Sequence, residues 1–196
     1  MALSTYSELK AAVATWCDRT DLTTQIVDFV TLAESQIRRD VRCRAMETVA
    51  TGTLTGETLA QPTRFLEARR LSIGGEVYDY IEPGSYQTLS DNDSQELKYT
   101  IIGQDFYILN GASGDDYSLI YWQSFAPFSG ASDTNWLLTN APEIYLSAAL
   151  QQAGVYLTDD AMMAKHAAIY QASVRNLKSG ENRSAYSGSR LEVRAN

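Results

Sequence analysis

From Thr23 to Arg44 the apolar residues Ile26, Phe29, Val30, Ala33, Ile37 and Val41 recur at helical spacing. That spacing predicts one long amphipathic helix, since a 3.6-residue period gathers them into a single stripe that must be covered. Asp28, Glu34 and Gln36 fall largely outside the stripe. Glu34 stands four residues before Arg38, the favourable order for a helical ion pair. Thr23 or Thr24 is the expected N-cap, its oxygen accepting from an orphaned backbone N–H. Arg38, Arg39, Arg42 and Arg44 crowd the far end against Asp40 alone. Cations there complement the negative end of the helix dipole, but four exceed what a dipole requires. A solvated helix end and a docking surface for a carboxylate-rich partner or for phosphates both fit, because clustered charge points only weakly to a ligand.

Further segments follow the same logic. Thr5 and Glu8 form a capping box opening a helix with Leu9, Ala12, Val13 and Trp16 on its apolar face. A turn around Cys17–Asp21 then makes the two helices neighbours. After Thr48 the period changes to alternation, predicting a strand or extended arm at 49–55 and strands at 69–73 and 76–81 about a Gly74-Gly75 hairpin turn. A short helix beginning at Pro83, a hairpin at 98–109 and a last strand at 117–125 complete an antiparallel β unit of about five strands. Helices return at 141–157, with Pro142 in the first turn, and at 159–178, with Asp159-Asp160 as cap. The expected fold is α+β and mainly helical: a four-helix bundle with an inserted small antiparallel β region and an extended C-terminal tail. Its expected parts are an N-terminal helical hairpin (1–48), the β insertion (49–137), a second helical hairpin (138–178) and the tail (179–196).

The tail loses periodicity, yet keeps Tyr186, Leu191 and Val193 among Arg183, Arg190 and Arg194. A disordered segment is usually poorer in apolar residues, so this one is expected to become ordered against a partner.

Composition narrows the function classes. A 44% hydrophobic and 20% charged chain of 196 residues can bury a real core. The net charge of −8 disfavours non-specific nucleic-acid binding. The run Glu76, Asp79, Glu82, Asp91, Asp93, Glu96 contains no Lys or Arg. Cys17, Cys43 and the single His166 are too few for a disulfide framework or a zinc site, and no cofactor is expected. Ser7-x-x-Lys10 is explained by the capped helix, and Asp159-Asp160 by capping. His166 has no Ser or Cys partner at a catalytic spacing. Neither a signal peptide nor a membrane span is expected, and the protein is read as soluble and made in a reducing cytoplasm.

Several segments in a fixed order carry a resemblance. They are Thr5–Lys10 (TYSELK), Trp16–Asp21 (WCDRTD), Phe29–Glu47 (FVTLAESQIRRDVRCRAME), Pro62–Arg69 (PTRFLEAR), Tyr99–Leu109, Thr134–Ala141 (TNWLLTNA) and Tyr186–Arg194 (YSGSRLEVR). Together they resemble the adaptor, or head-to-tail connector, proteins of tailed-phage virions. Cys17 and Cys43 depart from that pattern. The resemblance implies a non-enzymatic structural protein of the virion neck, synthesised in the host cytoplasm. It implies a homo-oligomeric ring, typically a dodecamer, between the portal protein and tail or nozzle proteins, with genomic DNA passing through unbound. It implies portal docking by the tail, through Arg183, Tyr186, Arg190, Leu191, Val193 and Arg194. Arg38, Arg39, Arg42 and Arg44 are the expected partner or subunit interface. The alternative class is a small intracellular module that binds protein or nucleic acid through the basic end of the second helix.

Overall fold

A computed structural model describes residues 3–92 and 94–186, and for 181–186 the backbone alone. The chain divides into two compact units, one formed by residues 1–44 with 125–196, the other by Ala45–Ser124.

In the first unit, α1 (Tyr6–Trp16) begins with the expected capping box. Thr5 accepts from the Glu8 N–H, and the Glu8 carboxylate accepts from the backbone N–H of Thr5 at 3.1 Å and of Ser4 at 2.8 Å. Those bonds hold the Glu8 carboxyl below its ordinary pKa. α2 (Thr23–Asp40) buries the expected stripe of Ile26, Phe29, Val30, Ala33 and Ile37. It ends four residues earlier than the periodicity predicts: Val41 remains buried but has extended backbone, φ −95° and ψ 131°. Its N-cap is Leu22, without a side-chain bond; Thr23 Oγ donates back to the Thr20 carbonyl instead.

A short helix within the expected loop, α4 (Trp136–Asn140), is capped by Asn135, whose side-chain oxygen accepts from Leu138 N–H at 2.9 Å. α5 (Pro142–Tyr156) carries the centre of this unit. Ile144 to Leu150 are all buried, as are Ala153 and Gly154. α1, α2, α4 and α6 (Asp160–Tyr186) all contact it. A helix apolar all round is a core helix. α5 ends with Thr158 in the left-handed region (φ 54°) and Asp159 N–H donating to the Gly154 carbonyl at 2.9 Å. Asp159 then caps α6 by accepting from Met162 N–H.

The second unit is a curled seven-stranded sheet. Its strands are β1 (Glu47–Thr53), β2 (Thr58–Ala60), β3 (Phe65–Ile73), β4 (Glu76–Tyr80), β5 (Lys98–Ile102), β6 (Asp105–Ile108) and β7 (Asp116–Gln123), in the order β1-β7-β3-β4-β5-β6-β2. Gly74 and Gly75 both have positive φ in the predicted hairpin turn. The β4–β5 connection runs through α3 (Pro83–Asp91), and these two strands pair in parallel. Leu71, Ile73, Tyr78, Tyr99, Phe106, Ile108, Leu119 and Tyr121 form the sheet's own core.

These observations overturn the mainly helical four-helix bundle with a small antiparallel β region. Among the described residues there are six α-helices and a seven-stranded mixed sheet. The sheet is mixed because α3 supplies the crossover that parallel neighbours require, whereas a tight hairpin only makes antiparallel pairs. The extended tail is likewise corrected where the backbone is described: α6 continues helically through Tyr186.

Candidate functional site

In the first unit the end of α2 lies against α6 in an open groove of about 400 Å³. Gln171, Val174, Arg175 and Lys178 recur at three- and four-residue spacing, so one face of α6 lines it. Tyr170 and Val174, buried, form its floor; Arg39, Arg175 and Lys178 are exposed at its rim. The Tyr170 hydroxyl donates to the Asp40 carboxylate at 3.0 Å. Burial and the Asp40 charge push the Tyr170 pKa upward, so the phenol stays protonated and remains a donor. Asp40 is thereby engaged by a neutral group. Arg39, Arg175 and Lys178 make no ion pair within 4 Å among the described residues, and basic charge prevails at the rim.

The four arginines expected at this interface are used differently. Arg38 and Arg39 occupy the exposed last turn of α2, and Arg39 alone lines the groove. Arg42 turns onto backbone: its guanidinium donates to the Arg38 and Val41 carbonyls at 2.9 and 2.7 Å, completing the helix end. Arg44 opens a 3-10 turn, Arg44–Met46. The sequence reading missed Arg175 and Lys178. Their signal was the i, i+4, i+7 series from Gln171, which places both cations on one face beside Tyr170. Of the expected docking residues, Arg183 and Tyr186 belong to the last turns of α6 by their backbone. Arg190, Leu191, Val193 and Arg194 lie outside the described residues.

A second polar feature sits in the same unit. Glu34 pairs with the Phe128 backbone N–H, accepting at 2.8 Å, and no Glu34–Arg38 ion pair forms among the described residues. Phe128 stacks on Tyr6 with centroids 5.2 Å apart and packs at the same distance against Tyr145. Burial in these surroundings raises the Glu34 pKa above its ordinary 4.5, with the Phe128 N–H opposing. The folded chain therefore binds more protons at Glu34 than the unfolded chain does. Stability from this group is full below the unfolded pKa and declines as pH rises through the higher folded value. Glu34→Gln keeps the acceptor and removes the charge. Urea titrations should find the variant more stable than the parent near about pH 7, with the difference closing toward about pH 4. An equal difference at both values would remove the buried charge as the cause.

His166 is 5% exposed and meets the edge of Trp16 at 6.0 Å. Burial first, and Lys165 second, lower its pKa. Among the described residues no cluster of three or more His, Cys, Asp or Glu is placed to hold a metal. No helix there is long and apolar enough to cross a membrane. The geometry thus offers a cationic, partly apolar groove.

No curated protein gives a significant match to the chain. Among known families it matches one described as SU10 adaptor protein, over residues 4–194. That span takes in α1 through α6, every strand of the sheet and the segment beyond Tyr186, so the resemblance to phage adaptors applies to the whole architecture, and the chain belongs to the SU10 adaptor protein family.

Proposed function

We propose that this protein is a structural adaptor of a tailed-phage virion, forming a ring, a dodecamer by family analogy, between the portal protein and tail or nozzle proteins. The observation that supports this reading most is the family match across residues 4–194. On this proposal the protein resides in the virion neck after synthesis in the host cytoplasm. Its C-terminal segment, with Arg183, Tyr186, Arg190, Leu191, Val193 and Arg194, docks on the portal, and the basic end of α2 serves a partner or subunit contact. Genomic DNA passes through the ring without specific binding. The net charge of −8 is consistent with that passage, because phosphate contacts dominate nucleic-acid affinity and like charge avoids making them.

The test mixes purified chain with portal assemblies and, separately, with duplex DNA. The isolated protein should be mostly monomeric by light scattering, should form rings visible by electron microscopy when portal is added, and should be present in purified virions. It should show no measurable duplex binding near physiological salt. A discrete dimer indifferent to portal, or absence from virions, would count against the adaptor. Sub-micromolar, salt-sensitive duplex affinity would favour the nucleic-acid module instead.

A further inference from the structure

The α2–α6 groove and the β4–α3–β5 stretch carry opposite net charge on different units of the chain. Arg39, Arg175 and Lys178 are exposed around a floor made by Tyr170 and Val174. In the other unit, Glu76, Glu82 and Asp91 are exposed and form no ion pair among the described residues; Asp79 and Glu96 are already engaged by Lys98 at 3.1 and 3.8 Å. Glu82 immediately precedes Pro83 at the exposed start of α3, and Asp91 ends that helix.

We propose that the groove receives the acidic β4–α3–β5 stretch of a second copy of this chain. Joining two different surfaces of identical chains is a heterologous contact, which generates a closed ring when the rotation between copies closes. The proposal deepens the ring reading by naming the two surfaces. Charge complementarity selects this occupant over the chain's own terminal residues 187–196, which bring Arg190 and Arg194 against one acidic residue, Glu192, to a groove that is already basic. Opposite charge at exposed sites steers the encounter and sets register more than it supplies affinity, so the contact is weak in isolated chains and sensitive to salt.

The test needs no portal, so its failure is distinguishable from failure of the adaptor reading. Isotopically heavy and light full-length chains are mixed at high concentration and treated with a zero-length carbodiimide, which joins an amine to a carboxylate. Mass spectrometry should find mixed-isotope peptides linking Lys178 to Glu76, Glu82 or Asp91. Reversing the rim with Arg39→Glu and Arg175→Glu should lower their yield at least about tenfold, as should high salt. Circular dichroism should be unchanged, since both side chains are exposed. Mixing rim-reversed chains with chains carrying Glu82→Lys and Asp91→Lys should restore association to within about threefold of the parent by sedimentation velocity, because the swapped charges attract again. Absence of mixed-isotope links, links that survive rim reversal, or no rescue by the swap would each overturn the proposal. Competition by duplex DNA at equal charge would overturn it in favour of a nucleic-acid surface.

Discussion

Gly154→Ala should destabilise the helical unit by about 1–3 kcal/mol, although alanine is the better helix former by roughly 1 kcal/mol. The reason is a close approach of two backbones. A Cβ at position 154 would lie 2.7 Å from the Met163 nitrogen and 3.0 Å from its Cα. Those atoms cannot swing aside as a side-chain tip can, because Met163 N–H is held by the Asp159 carbonyl in the first turn of α6. The Gly154 carbonyl also accepts the Asp159 N–H that closes the α5–α6 turn, so moving α6 outward disturbs the same turn. Gly180→Ala is the control: nothing lies within 4 Å of a Cβ there, and the helical preference should emerge as a gain of up to about 1 kcal/mol. Denaturant titration by circular dichroism, with hydrogen exchange reporting on α5 and α6, reads both. A Gly154→Ala protein as stable as the parent would show that the helices separate freely.

Truncation after Lys178 should abolish portal attachment while leaving the helical unit folded. Among the described side chains of α6, the last buried ones are Tyr170 and Val174, which the truncated chain retains together with the Tyr170–Asp40 bond. Removal of 179–186 takes away the final turns of α6, so helical circular dichroism should fall slightly, with little change in thermal midpoint. The residues lost include Tyr186, Leu191 and Val193 with Arg183, Arg190 and Arg194, the aromatic-plus-arginine makeup common at interface hot spots. Tyr186→Ala combined with Leu191→Ala should reproduce much of the loss, by at least about tenfold in affinity, the scale of one hot-spot truncation. Truncated chains that still assemble on portals as well as the parent would shift the docking role to the basic end of α2.

The sequence alone determined what neighbouring residues settle between themselves. The Thr5–Glu8 capping box, the Asp159 cap and the Gly74-Gly75 turn are complete within a few residues, so their chemistry reads directly from the order of side chains. The buried stripe of α2 is legible for the same reason, and the order of the family segments by itself points to an adaptor. The remaining features depend on partners far apart in the chain. Val41 continues the apolar stripe and stays buried in extended backbone, because burial does not require the helix to continue. Glu34 points to a backbone amide 94 residues away instead of to Arg38. β2, with three residues, is too short for a period and exists through its pairing with β6, while β4 and β5 become parallel through the crossover of α3. α5, rather than α2, became the centre of its unit. Its alanines, Ser147 and Gly154 are weak apolar signals in a sequence, but they let neighbouring backbones come close, and close packing of such small residues has no local signature.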